Sequence, residues 1–284
     1  MEFGSREERA LLAARAVAAE AGVSCGQATV VNAGSNVMVH LRPAPVLARV
    51  MTGTAVLHED PERWLSREVS VLGFLAPSAI AVAPSPLIAP GPYCRDGLWM
   101  TFWEALEHRG SADLAAGPER LGLALRGLHG ELAAYEGELP GFGDVQQRIE
   151  RLLRALRPSP DLSAERIESL ESRLRELGET VFGAPHPTQA LHGDASLYNL
   201  LVLPSDRLVW NDFEDVVMGP VHWDLAGYLI SLEHRGADPD FVARALAAYG
   251  GISAAELAPF SAAHAVYDEV WGLYDAQRRL SPAP

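Results

Sequence analysis

The sequence predicts an α+β protein: an antiparallel sheet with a helix in the first part, and a mainly helical second part. Three observations carry this. Short β-branched and apolar runs, separated by Gly, Pro and Ser turns, fall almost entirely before residue 103. Segments with helical apolar spacing, opened by Asp, Ser or Pro and closed by Gly, fill most of the rest. With 284 residues, 48% of them hydrophobic, the chain has enough apolar matter for one large domain or two lobes.

In chain order, Met1–Ser5 (MEFGS) carries the Glu-Phe and Gly-Ser pairs that two common restriction sites encode, and is set aside as a vector remnant. Arg6–Ala21 is an Ala-rich helix with Leu11, Leu12 and Val17 as apolar points and Gly22 as its stop. Gln27–Asn32, Asn36–Arg42 and Val46–Met51 read as strands around turns at Ala33-Gly34-Ser35 and Arg42-Pro43-Ala44-Pro45. A glycine between two strands lets backbone N–H groups approach a phosphate, which makes Ser35 and Asn36 candidates; a plain hairpin is the alternative.

Asp60-Pro61-Glu62 opens a helix with an N-cap, a proline at the first position and a carboxylate in the first turn. Its apolar stripe, Trp64, Val71, Leu72 and Leu75, carries Glu68 inward. A buried carboxylate needs a positive partner or it neutralises, and Arg49 on the preceding strand is the candidate; a half-exposed Glu68 paired to a surface arginine is the alternative. Val82–Pro90 and Leu98–Phe102 read as two more strands around a turn at Cys94–Gly97.

Pro118–Ala134 is helical with Leu121, Leu125, Leu128 and Leu132 on one face, and His129 reads as a core-edge or surface residue. Val145–Leu156 and Ser163–Leu177 are Arg/Glu-rich helices whose alternating charges read as solvated faces. Helices follow at Trp223–Glu233 and Phe241–Tyr249, then one or two over Ser253–Arg279. In the last, Tyr267, Asp268, Trp271 and Asp275 lie at near-helical spacing: acids among aromatics suit an aminated or sugar-like ligand, or Trp271 simply packs inside.

The stretch from Leu191 to Asp215, LHGDASLYNLLVLPSDRLVWNDFED, holds the chemistry. Two apolar runs flank Pro204–Asp206 as in a tight hairpin, whose open ends bring Asn199 beside Asp212 with Asp194 close by. An amide oxygen and a carboxylate are hard ligands of the kind Mg²⁺ takes with phosphate oxygens and waters. A second carboxylate five residues before the amide is placed to accept a proton from a substrate hydroxyl. Such a set suits phosphoryl transfer, where the protein mainly positions reactants and neutralises charge.

His192-Gly193-Asp194-x-x-x-x-Asn199, then Asn211-Asp212-Phe213-Glu214, then Asp224-Leu225-Ala226, resembles the aminoglycoside phosphotransferase family. The resemblance implies a two-lobed protein-kinase-like fold, with a nucleotide-binding lobe at 6–102 and a catalytic and acceptor-binding lobe at 103–284. It implies ATP or GTP with Mg²⁺ as cofactors and a small-molecule hydroxyl as acceptor. Asp194 would be the catalytic base, Asn199 and Asp212 would hold Mg²⁺, and Asp224 would brace the catalytic loop. His192 would support that loop, and Glu214 would order it or serve a second metal. Arg49 would pair with Glu68 and reach the nucleotide phosphates, and the hinge facing the base would lie at Phe102–Ala105, with Phe102 and Trp103 as its candidate contacts. The C-terminal helix, through Asp268, Trp271 and Asp275, would border the acceptor.

Net charge is −14, which repels nucleic acid and would draw in a cationic acceptor; acidity that serves only solubility is the alternative. No apolar run reaches the length of a membrane span, and Cys25 and Cys94 lack neighbours at metal-ligand spacing, which suits reduced thiols in a cytoplasmic protein. All 23 basic residues are arginine, so the strand lysine usual in kinases of this fold is replaced by Arg49. The acceptor class that the resemblance implies first is an aminoglycoside-like or other antibiotic; a macrolide, a nucleoside-type natural product and a metabolic amino alcohol or sugar are the alternatives. A nucleotide-binding protein without turnover is the reading from another class.

Overall fold

The computed structural model describes residues 5–53 and 60–280, leaving aside the side chains of 279 and 280. Of the segment read as a vector remnant, only Ser5 lies within the described residues. Two compact units divide the chain: the residues through Arg109 together with Val202–Glu214, and Gly110–Leu201 together with the residues from Asp215.

The first unit begins with α1 (Arg6–Glu20), capped by Ser5, whose hydroxyl accepts from the Glu8 N–H at 3.3 Å. Then come β1 (Thr29–Ala33), β2 (Val37–His40), β3 (Val46–Val50), α2 (Pro61–Leu75), β4 (Tyr93–Arg95) and β5 (Leu98–Glu104). The five strands make one antiparallel sheet in the order β1-β2-β3-β5-β4. Strand alternation gives the sheet two different faces. Val46, Ala48, Val50, Met100 and Phe102 share a core with α1, and Trp99 and Met51 pack with Trp64 and Leu65 of α2.

The buried side of α1 is alanine, at Ala10, Ala13, Ala14 and Ala18 with Val17, while Leu12 is exposed. Of the three apolar points expected on this helix, Val17 is buried and Leu11 packs partly buried against the same core, while Leu12 turns to solvent. Small side chains let the helix axis sit close to the sheet. The segment 82–90, expected as a strand, forms no regular ladder: Pro84 makes an isolated bridge to Trp103, Ala81 just before the segment makes one to Trp210, and single hydrogen bonds join Ala83, Ser85 and Pro90 to β5. Pro84, Pro86 and Pro90 supply no N–H to a ladder, and β4 takes the place beside β5 instead. The β4–β5 turn carries Asp96 and Gly97 at φ 53° and 76°, the left-handed pair that two-residue hairpins prefer.

The second unit holds α3 (Pro118–Leu132), α4 (Gly143–Ala155), α5 (Ala164–Leu177) and β6 (Gln189–Leu191). The chain then runs through β7 (Leu200–Val202) and β8 (Leu208–Trp210), the expected hairpin, closed by the Leu203 N–H donating to the Arg207 carbonyl at 2.9 Å. It returns through β9 (Val217–Gly219), α6 (Val221–His234), α7 (Pro239–Tyr249) and α8 (Ala254–Leu280). The last is one continuous helix of 27 residues with Pro259 inside its second turn. Within the unit α3 packs on α7, and α8 on α4, α5 and α6. β6 pairs antiparallel with β9, Leu191 opposite Val217. That register sets the residues after β6, His192 and Gly193, against those before β9, Val216 and Asp215.

Candidate active site

In the first unit the candidate side chains gather around Arg49. The β3–β5 register places Arg49 opposite Thr101, and both face Glu68 on the inward stripe of α2. One amino group of Arg49 is ion-paired with Glu68; the other donates to Glu214 at 2.6 Å and stands 3.6 Å from Asp212. Arg49 is 5% exposed and Glu68 1%. Burial alone would weaken the guanidinium's hold on its proton, but Glu68, Glu214 and Asp212 outweigh it and raise its pKa above the ordinary arginine value. Leaving Glu68 without this partner would cost about 3–5 kcal/mol, far more than an exposed pair contributes.

Asn36 links the β1–β2 loop to this cluster. Its amide nitrogen donates to both Glu214 oxygens, at 3.2 and 3.4 Å, and its amide oxygen accepts from the Thr52 N–H at 3.2 Å. Ser35 meets the same residue through its carbonyl, which accepts from the Thr52 hydroxyl at 3.4 Å. Asp212 has φ 63°, a left-handed conformation that Asp adopts more readily than most residues. Trp103 is buried with its indole N–H donating to the Thr101 hydroxyl at 3.0 Å. Phe102 is a core residue, and its backbone is engaged: its N–H donates to Pro90 at 2.9 Å and its carbonyl accepts from Ser85 at 3.2 Å. The hinge contact expected at Phe102 has neither of these backbone groups idle.

In the second unit the loop after β6 is held by one carboxylate. Asp224, fully buried near the start of α6, accepts from the backbone N–H groups of His192 and Gly193, each at 2.9 Å. His129 on α3 meets the same carboxylate at 3.1 Å and turns its other ring nitrogen to the Tyr249 hydroxyl at 2.7 Å. Burial pushes the Asp224 carboxyl up, but the bond to His129, the neighbouring histidines and the Gly193 N–H outweigh it and leave its pKa below the ordinary aspartate value. The Trp223 indole N–H donates to the Gly193 carbonyl at 3.0 Å. Asp194 is half-buried at the loop's tip, and its N–H donates to His192 Nδ1 at 3.3 Å. Asn199 folds back on it, its amide nitrogen donating to the Asp194 carbonyl at 2.9 Å and carboxylate at 2.8 Å.

Two buried ionisable side chains escaped the sequence reading. Arg148, on a helix taken as solvated, is 5% exposed, ion-paired with Asp215 and set over the Tyr267 ring at 5.8 Å. A signal was present: Arg148 follows Val145 by three and precedes Leu152 by four, on the buried stripe of α4. Burial, then the charges of Asp215 and Asp194, push the Tyr267 hydroxyl well above the ordinary tyrosine value. His129, read as a core-edge or surface residue, is a buried partner of Asp224. On α8 the acceptor candidates are partly buried: Asp268 lies 3.4 Å from His264 Nδ1, Asp275 pairs with Arg278 at 2.5 Å, and the Trp271 ring is 5.9 Å from that of Tyr274. Among the described residues no group of three or more His, Cys, Asp and Glu is spaced to hold a metal ion, and no helix is long and apolar enough to cross a membrane.

Residues 49–260 match the model of the phosphotransferase enzyme family. No curated protein sequence matches the chain. Among solved structures, the choline kinase LicA from Streptococcus pneumoniae aligns at 16% identity over 89% of this chain and 86% of its own, with a TM-score of 0.63. The aminoglycoside phosphotransferase APH(3'')-Id from Streptomyces rimosus aligns at 16% identity over 91% and 97%, also at 0.63. APH(2'')-IIia, solved as a GDP and kanamycin complex, aligns at 17% identity over 95% and 93%, at 0.66. These likenesses establish the fold: α+β and protein-kinase-like.

Proposed function

This chain belongs to the phosphotransferase enzyme family, and from that premise we propose that it transfers the γ-phosphate of ATP or GTP to a hydroxyl of a small, cationic molecule. Asp194 is the base that orients and deprotonates the hydroxyl. The observation that carries this is the pair of hydrogen bonds that the Asn199 amide nitrogen donates to Asp194, on a loop whose backbone Asp224 holds. It turns the nitrogen end of Asn199 to the base and leaves the amide oxygen as the end suited to a cation.

Mg²⁺ is the cofactor this reading calls for, because that amide oxygen and the Asp212 carboxylate are each hard oxygens of the kind it takes along with phosphate and water. Bound there, it would neutralise charge on the transferred phosphate. Arg49, kept charged by its three acidic neighbours, supplies the fixed positive charge for the nucleotide in place of lysine. Ser35 and Asn36 border the phosphates, and Trp103 belongs to the hinge. Asp268, Trp271 and Asp275 line the acceptor side, and the net charge of −14 draws a cation toward it. Nucleotide use suits a cytoplasmic protein, with residues 6–102 as the nucleotide lobe and 103–284 as the catalytic lobe.

Solved relatives include a choline kinase and an aminoglycoside phosphotransferase. Both amino alcohols and aminoglycosides are therefore the first acceptors to try, followed by macrolides and nucleosides. The protein is incubated with Mg-ATP or Mg-GTP and such a panel, and product mass is followed. A product heavier by one phosphate, absent with Asp194→Ala, supports the reading. Nucleotide binding without transfer to any acceptor would favour the non-catalytic alternative, and undiminished transfer by Asp194→Ala would remove Asp194 from the mechanism.

A further inference from the structure

Arg49 does something a lysine could not: it holds two carboxylates through two different nitrogens. One amino group belongs to Glu68 on α2, and the other donates to Glu214 at 2.6 Å. Glu214 is itself fixed from the opposite side by the Asn36 amide, at 3.2 and 3.4 Å, and Asn36 is fixed by the Thr52 N–H. The sheet side thus grips Glu214 at two points, from the β1–β2 loop just before β2 and from β3. Asp212 shares the segment with Glu214 but stands off at 3.6 Å, short of a hydrogen bond.

We infer that Glu214 is a positioning residue for nucleotide use, acting through Arg49, and that arginine at this strand position works because Glu214 takes its second amino group. The inference rests on the reading of Arg49 as the nucleotide's cation. The physical reason is geometric. A guanidinium is planar and presents its nitrogens at fixed angles, so two anchors fix both its position and the roll of its plane. With Glu68 alone, the plane turns about that single contact, and the edge offered to a phosphate is no longer set. An ammonium has no plane to orient, so a lysine here would gain far less from the second carboxylate. The sequence carries both halves of the arrangement: no lysine anywhere, and a glutamate two residues after Asp212.

The test is a double-mutant cycle on the full-length protein, with Arg49→Lys, Glu214→Gln and the pair, read by ADP affinity without Mg²⁺ and by nucleotide KM and kcat. Glu214→Gln should weaken ADP binding and raise nucleotide KM about tenfold, with kcat at saturating nucleotide changed much less. In the Arg49→Lys background the same change should weaken ADP binding by less than about twofold. Equal effects in both backgrounds, or an unaltered ADP affinity in Glu214→Gln, overturn the inference. So does a defect that excess Mg²⁺ repairs while metal-free ADP binding stays normal, because Glu214 would then serve a metal. Glu214→Asp keeps the charge while withdrawing it by one methylene; normal ADP affinity in this variant also overturns the inference, whatever the folding of the glutamine variant. Failure of the underlying reading looks different: the wild-type protein itself would bind no nucleotide.

Discussion

The α-carbon of Gly193 lies against the carbonyl of Asp215, so close that a Cβ at this position would stand 1.9 Å from the oxygen. Gly193 also has φ 86°, in the region that side chains disfavour. Contact and conformation both follow from the β6–β9 register, which lays the loop carrying Asp194 directly on the chain entering β9. Gly193→Ala should therefore lose about 3 kcal/mol or more of stability, because backbone and not a flexible side chain must move. Urea unfolding measures it, and a loss under about 0.5 kcal/mol, the range of ordinary surface changes, would contradict the close packing.

Asp224 ties the same loop from below, and its depressed pKa fixes the sign of a pH effect. In the unfolded chain the carboxyl titrates near about 3.9; in the folded protein it does so lower. Below the unfolded value the unfolded state binds more protons, so the stability contributed by this carboxylate is present above about pH 4 and falls away as pH drops through the folded value. Asp224→Asn should be less stable at neutral pH by about 3–5 kcal/mol, since an amide nitrogen would face backbone N–H donors. The gap to wild type should narrow as the solution is acidified below about pH 4, in denaturant titrations across pH. A constant gap would mean that this carboxyl is not the titrating group.

Arg148 and Asp215 form a buried ion pair within the second unit. Arg148→Met keeps most of the volume but strands the Asp215 carboxylate, at a cost of about 3 kcal/mol. Adding Asp215→Asn removes the stranded charge and should recover part of the loss. The recovery is read as coupling in chemical unfolding; strictly additive losses would mean that the pair contributes nothing beyond its packing.

Asn199→Ala removes both contacts to Asp194 while leaving the base in place. Under the proposed mechanism kcat should fall at least about a hundredfold, with near-normal thermal stability because Asn199 is only half-buried. Turnover equal to wild type would show that Asn199 neither positions the base nor serves a cation.

Much of this was legible because local chemistry spoke plainly. Asp60 and Pro61 announce α2, and the Asp60 carboxylate does accept from the Arg63 N–H at 2.9 Å. Helical spacing then turned Glu68 inward, where a charge needs a partner, and Arg49 on the neighbouring strand was the available one. Elsewhere local reading misled. The alternating charges of α4 hid one arginine on its apolar stripe, and an apolar stretch rich in proline looked like a strand. His129 and Asp224 lie 95 residues apart, and no spacing rule links them.

By itself the sequence determined the helices, the hairpin, the inward turn of Glu68 and the set of acids and amide gathered between Leu191 and Asp215, since these depend on periodicity, turn residues and the cost of burying charge. Only the tertiary structure decided that Asp224 would grip two backbone N–H groups, that Gly193 would meet Asp215, that Arg148 would be buried with Asp215, and that Glu214 would take the second arm of Arg49. Those partners are set by strand register and helix docking, which bring together residues whose need for one another is felt only when water has been removed from around them.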